Sequence, residues 1–188
     1  MAGLTETKNH IKSTITLAMS VQEGTLIDFE TTGRPRKDRD HEVITLGLLE
    51  GNKVTITQRK TSDKTQFYKE VKEIFGSLRK PYYSYNADFE RSITERELGI
   101  SVKAKDFVDI MGPWREKADN RGLKWPKLDE LMSEPEDYFK EHKVSGKDVP
   151  TIWKAYLTTE DEKLLKMIME HCLSDILREA ILLIRYQG

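Results

Sequence analysis

Apolar positions recur along this chain with two periods, and the change from one to the other divides it into elements. Alternation by two marks Thr25–Glu30, Val43–Leu49 and Lys53–Gln58 as strands. Glu50-Gly51-Asn52, between the last two, is a hairpin turn signal, so three antiparallel strands are expected at the start. A helical period then takes over, with Phe67, Val71, Ile74, Phe75 and Leu78 sharing one face of a helix over Thr65–Leu78 that Lys80-Pro81 ends. Tyr82–Tyr85 reads as a short strand, and after a crossover helix it most simply runs parallel to an earlier one. Asn86 stands where it can cap a helix running through Phe89, Ile93 and Leu98 to a stop at Gly99. Between Lys105 and Pro150 the pattern weakens around Trp114, Trp125, Pro113, Pro126 and Pro135, which predicts short helices and loops in no definite order. The last element is one long helix, since Leu164, Leu165, Ile168, Met169, Cys172, Leu173, Ile176, Leu177, Ala180 and Ile184 form a single broad stripe. Residues 1–22 carry no such pattern and read as a polar leader to a single α/β domain spanning 1–188.

Composition narrows the choice of function. With 188 residues, 37% hydrophobic and 34% charged, the chain can fill one core but not two comfortable ones. Its 31 basic and 32 acidic residues nearly cancel to a net charge of -1, so any nucleic-acid site must be a local patch rather than a global field. The single cysteine, Cys172, excludes an internal disulfide, and no His/Cys spacing points to zinc. Neither a signal peptide nor a membrane-spanning run is visible, so cytoplasmic residence and no membrane partner are expected.

The candidate chemistry begins in LIDFETTG, Leu26–Gly33, where Asp28 and Glu30 interrupt an apolar strand. Alternate residues of a strand share a face, so the two carboxylates point the same way, about 7 Å apart along the backbone. Like charges so placed raise each other's pKa and oppose folding unless a cation bridges them, and hard oxygen donors suit Mg²⁺ or Mn²⁺. The plainer alternative is a solvated strand end entering a Thr-Thr-Gly turn. Further along, Asp88 and Glu90 both fall in the first turn of a helix, where the dipole favours acids in any case. They differ by about 200° around the axis, so only one can face Asp28 and Glu30, and spacing does not choose between them. On the last helix Asp175 projects about 20° from Ile168 and so borders the core. His171 lies one turn earlier on the same side, which also describes an ordinary i, i+4 polar pair, and Glu179 projects nearby.

Together, IDFETTG (27–33), YNADFE (85–90) and HCLSD (171–175) resemble the ordered motifs of the DEDD 3′–5′ exonuclease superfamily. The stretch SGKDVPTIWKAYL before the third motif is similar to the C-terminal half of predicted ribonuclease H-like exonucleases of bacteria and archaea. The likeness covers roughly residues 25–185. It implies a ribonuclease H-like α/β fold: a mixed sheet of three antiparallel strands, then parallel strands, flanked by helices. By position it makes Asp28, Glu30, Glu90 and Asp175 the metal-binding carboxylates and His171 the group that orients or deprotonates the attacking water. In-line phosphodiester hydrolysis needs an activated water and a stabilised leaving oxygen, and two Mg²⁺ or Mn²⁺ ions about 3.5–4 Å apart serve both ends. The chain departs from the family in three places. Glu90 stands where most members have Asp, His171 lies four residues before Asp175 where that spacing usually carries Tyr, and Arg34 follows Gly33 where Leu is common.

The resemblance also implies substrate contacts at Thr31, Thr32, Gly33, Arg34, Arg36, Asn86 and Phe89. Arg34, Arg36, Lys37 and Arg39 would border the acidic strand and could reach backbone phosphates, although Asp38, Asp40 and Glu42 dilute them in a loop equally suited to solvent. Trp114 and Trp125, with Arg115, Arg121, Lys124 and Lys127, suit stacking of single-stranded bases, or else anchor loops. The expected activity is therefore a metal-dependent 3′–5′ exonuclease on single-stranded DNA or RNA, DNA ahead of RNA, with a homo-oligomer as one way to hold the strand. A catalytically weak or inactive nucleic-acid-binding domain and an endonuclease acting on RNA are the alternatives.

Overall fold

The computed structural model describes residues 2–17, 23–33, 41–131 and 144–187. Its strands are β1 (Ala2–Glu6), β2 (His10–Thr16), β3 (Thr25–Thr31), β4 (Val43–Glu50), β5 (Lys53–Arg59), β6 (Tyr82–Ser84) and β7 (Phe107–Asp109). The helices are α1 (Thr65–Ser77), α2 (Ala87–Arg96), α3 (Gly112–Asp119), α4 (Leu128–Leu131), α5 (Val149–Thr159) and α6 (Glu162–Gln187). Among the described residues the strands form one seven-stranded sheet in the order β1-β2-β5-β4-β3-β6-β7. Pairing is antiparallel from β1 to β3 and parallel from β3 through β6 to β7, the mixed arrangement expected. No described helix is long and apolar enough to cross a membrane.

Alternation along β3 feeds two layers. Ile27 and Phe29 pack with Leu46 and Leu48 against Phe67, Val71 and Phe75 of α1 and Ile93 of α2. Leu26 turns the other way and joins Leu49, Val54 and Ile56 beneath Cys172, Ile176 and Ala180 of α6. A third cluster of Ile44, Val149, Trp153, Leu165 and Ile168 seats α5 against α6. Fully burying a residue such as Ile168 or Ile176 contributes about 1.5–3 kcal/mol, so tertiary packing holds α6 in place.

The polar leader expected over residues 1–22 is a correction. Its described part supplies β1 and β2, which extend the antiparallel half of the sheet beyond β5. β2 is mostly half-buried and Leu4 of β1 is 70% exposed, so the two strands are held by backbone pairing rather than by an alternating core face. β7 was also hidden, being only three half-buried residues. Asn86 occupies the N-cap position of α2 without making a side-chain capping bond; its Oδ1 instead accepts from Arg115 Nη2 at 3.4 Å.

Gly47 lies on β4 directly across from Asp28 on β3. A Cβ there would come within 2.6 Å of Cys172 Sγ and 2.9 Å of Ile176 Cγ1, so the missing side chain lets α6 press onto the sheet beside the acidic strand. Gly47→Ala is therefore expected to cost about 1–3 kcal/mol by overpacking. A lowered urea midpoint with unchanged slope is the expected result, and an unchanged midpoint would show that α6 has room to spare.

Candidate metal centre

β3 pairs with β6 through Thr25 and Leu26, because β6 ends at Ser84 and the chain turns at Asn86 into α2. Beyond that point α2 rather than a strand lies beside β3, and it brings Glu90 inward. On the other edge of β3, Glu30 pairs with Thr45 but Thr31 pairs with Val43, which leaves Ile44 as a bulge. The bulge reverses the alternation of β4, so Ile44 enters the α5 cluster and Val43 the α1 face, where its N–H donates to Tyr68 Oη at 2.8 Å. Asp28 and Glu30 lie before this reversal, on the face covered by α6.

From α6, residues one turn apart meet them. His171 Nε2 lies 3.2 Å from Glu30 Oε1 and 3.6 Å from Asp175 Oδ2. Cys172 donates its thiol to Asp28 Oδ2 at 3.3 Å. Arg178 Nη1 stands 3.3 Å from Asp175 Oδ1, one cation at the margin of an otherwise acidic cluster. Glu30, Glu90, His171 and Glu179 are buried, whereas Asp28 and Asp175 retain some exposure and form the mouth.

The electrostatics are those of crowded, desolvated carboxylates. Burial, reinforced by the charge of Asp175, pushes Asp28 up to about 7, with the Cys172 thiol acting in the opposite sense. Burial and then the charges of Asp28, Asp175 and Glu90 raise Glu30 well above the ordinary carboxylate range. Glu90 is raised by burial and by Asp28, while its own amide and that of Phe29 favour its ionised form. Burial is also the first cause of the raised Cys172 thiol, followed by Asp28 and Glu30. Glu30, His171 and Asp175 each offer a ligand atom, all within 4.8 Å of one another. Glu90 Oε2 and Glu179 Oε2 are buried with no hydrogen-bond partner among the described residues. Hard oxygens and one imidazole, short of positive charge, fit a divalent cation.

Of the residues singled out in the sequence, Asp28, Glu30, Glu90, His171 and Asp175 come together. Asp88 points away, its side chain 73% exposed and bonded to Arg91 Nη2 at 3.1 Å, so α2 presents Glu90 and not Asp88 to the cluster. Thr31 Oγ1 donates to the Gly33 carbonyl at 2.6 Å, and Thr32 Oγ1 accepts from the Glu42 amide at 3.0 Å. Both hydroxyls thus shape the turn after β3. A Cβ on Gly33 would lie 3.1 Å from His41 Nδ1. Arg34, Arg36, Lys37 and Arg39 lie outside the described residues.

Phe89 is half-buried. It packs on the α1 and α2 face of the sheet, because one residue along a helix turns the side chain about 100° away from the direction of Glu90. Asn86 is exposed, close to Arg115, whose Nη2 lies 2.8 Å from Asp109 Oδ2. Trp114 packs against the α6-side core, whereas Trp125 is 51% exposed. The Trp125 ring lies 4.3 Å from the Arg115 guanidinium, and its Nε1 donates to Asp119 Oδ1 at 2.7 Å. Gly47, Asp109, Arg178 and Glu179 were not singled out as site residues. Only Glu179 left a signal, as the next rung of the four-residue ladder His171, Asp175, Glu179.

The raised carboxylates give a pH signature to the metal-free protein. Between the unfolded value of 3.8 and the folded value of about 7, Asp28 binds more protons folded than unfolded, so its contribution is greatest in acid and is lost as pH rises through 7. Glu30 and Glu90 act in the same direction. The melting temperature in chelator is expected to fall from about pH 5 to pH 8, more shallowly in Asp28→Asn, with Mn²⁺ restoring it at the upper end. A melting temperature that climbs over this range in chelator would contradict the arrangement.

A sequence model of the RNase H superfamily matches residues 25–186. No curated protein and no solved structure matches the chain. The matched span begins at β3 and ends within α6, so it takes in every element that contributes a carboxylate to the cluster. With a mixed sheet flanked by helices and the acidic residues gathered over β3, the chain belongs to the RNase H superfamily, a nuclease-type fold that works with divalent metals on nucleic acid.

Proposed function

We propose that the chain is a metal-dependent 3′–5′ exonuclease that hydrolyses phosphodiester bonds of single-stranded nucleic acid, DNA ahead of RNA. The observation that carries this reading is the convergence of Asp28 and Glu30 from β3, Glu90 from α2, and His171 and Asp175 from α6 in one buried cluster. The ordered motifs that resemble the exonuclease branch are the same segments. The four carboxylates would hold Mg²⁺ or Mn²⁺ as a pair, which when bound would supply positive charge for the attacking and departing oxygens.

The remaining roles fall to the chain itself. His171, held between Glu30 and Asp175, orients or deprotonates the attacking water once cations occupy those carboxylates. Burial of Glu30 and Glu90 excludes bulk water from the floor of the site and strengthens each charge interaction there. Arg178, 3.3 Å from Asp175 Oδ1, steadies that carboxylate at the mouth. Trp125, stacked on Arg115 and tied through Asp119, is a rigid exposed ring on which a base of the strand can lie. Tyr85 Oη, donating to the Pro126 carbonyl at 2.6 Å, fastens that loop to the motif preceding α2.

Purified protein with Mn²⁺ and oligonucleotides labelled at the 3′ or the 5′ end tests the reading. Early release of single labelled nucleotides from the 3′ label, with a shrinking ladder from the 5′ label, is expected. Asp28→Ala removes a ligand contributing several kcal/mol and should lower the rate about 10²-fold or more. His171→Ala should cost about 10²–10⁴-fold as the loss of a general base. Trp125→Ala should weaken strand binding by about 1–3 kcal/mol while leaving Mn²⁺ binding unchanged. Cleavage of circular single strands would replace the exonuclease with an endonuclease, and binding without cleavage would leave a nucleic-acid-binding domain.

A further inference from the structure

Glu179 is 3% exposed on α6, and its Oε2 has no hydrogen-bond partner among the described residues. An ionisable group in that state costs several kcal/mol unless something compensates it. The helix stripe gives no reason for it, since the neighbouring inward positions Cys172, Ile176, Ala180 and Leu183 are apolar and buried. What surrounds it is the acidic cluster: the charges of Asp28, Glu90 and Asp175 all act on Glu179, while the Tyr85 amide favours its ionised form.

The two charged ladders of the site explain its position. Along β3, Asp28 and Glu30 are about 7 Å apart. Along α6, His171, Asp175 and Glu179 are each about 6 Å apart. His171 meets Glu30 at one end, and Asp175 acts on both strand acids. Glu179 feels Asp28 and Glu90 at the other end. The ligand atoms of Glu30, His171 and Asp175 already form one converging group. Among the described residues Asp28 and Glu90 fall in no such group of three ligand atoms, and Glu90 Oε2 is buried without a partner.

We propose that Glu179 is a fifth carboxylate of the metal centre, the ligand that joins Asp28 and Glu90 in holding a divalent cation at the end of the site away from His171. The proposal rests on the metal-centre reading above and adds a residue to it. Glu179 lies four residues beyond the motif that carries the family resemblance, so that resemblance assigns it nothing. Its Oε2 is the donor, and its link to the Tyr85 amide keeps α6 aligned with the turn that leads into α2.

Glu179→Gln tests this, because glutamine keeps the size and an acceptor for the Tyr85 amide while removing the charge. Calorimetric titration with Mn²⁺ alone, and melting curves in chelator and in Mn²⁺, are read on wild type and variant. The variant should bind Mn²⁺ about tenfold or more weakly at one site, melt at or above the wild-type temperature in chelator because an amide needs no proton to sit uncharged there, and gain less from Mn²⁺. A variant that melts cooperatively and gives the wild-type Mn²⁺ isotherm would overturn the assignment while leaving the metal centre and its nuclease reading intact. Wild-type protein that binds no Mn²⁺ would overturn both. Glu179→Asp, which keeps the charge on a shorter arm, should fall between wild type and glutamine if reach to the cation matters; the full glutamine loss or wild-type binding in both variants speaks against a ligand.

Discussion

The repulsion among carboxylates along the seam between β3 and α6 is the constraint on which this structure turns. Desolvation is the first cause of the raised pKa at Asp28, Glu30, Glu90 and Glu179, and mutual charge comes next. None of this favours bringing α6 onto the strand. The packing does: Cys172, Ile176, Ala180 and Leu183 bury their apolar surface over Leu26, Leu49 and Ile56, and Gly47 removes the one side chain that would hold the helix off. At about 1.5–3 kcal/mol for each fully buried aliphatic side chain, the helix stripe outweighs a partly protonated cluster. It would not outweigh several full negative charges in a dry site, which is why the folded, metal-free molecule retains protons there that free carboxylates shed.

The local irregularities of the sheet follow from the same need. A regular β6 running beside the whole of β3 would fill the space that Glu90 occupies, and the three-residue length of β6 leaves that space to α2. The bulge at Ile44 keeps Asp28 and Glu30 on the α6 face while the next turn of β4 sends Ile44 beneath α5. The acidic cluster thus gathers beside the parallel half of the sheet, where open α/β sheets place ligands. The antiparallel half supplies core and breadth. Arg59, fully buried, pairs with Glu42 Oε2 at 2.8 Å and lies under Trp153, which ties β5 to α5 and to the residue before β4.

Elements with a strong apolar period were legible in the sequence: β3, β4, β5, α1 and the long α6 all have it. β1 and β2 were not, because a half-exposed strand held by backbone pairing leaves little alternation to read. In the site, the Asp28 and Glu30 face followed from the strand period alone. The choice between Asp88 and Glu90 did not, since both suit the first turn of a helix and only the approach of α2 to β3 separates them. Phe89, next to Glu90 in the motif, packs in the opposite layer for the same reason: adjacency in a motif is not adjacency around a helix. Gly47 could not be seen at all, because its importance lies in a helix 125 or more residues away that must come within van der Waals reach.

Charge also sets the order in which the site can be used. A nucleic-acid strand brings phosphates, and a chain of net charge -1 offers no long-range attraction to them. At the mouth, Asp28 and Asp175 repel a phosphate, and Arg178 is already engaged with Asp175. The sign of the local field must therefore be reversed before an anionic backbone can settle over His171. On the proposed reading, divalent cations would do this by neutralising the carboxylates that hold them, so metal binding would govern access of the substrate as well as its cleavage. Trp125, stacked on Arg115, would lie outside that requirement as the proposed base contact, since stacking on a ring does not depend on the charge of the carboxylates.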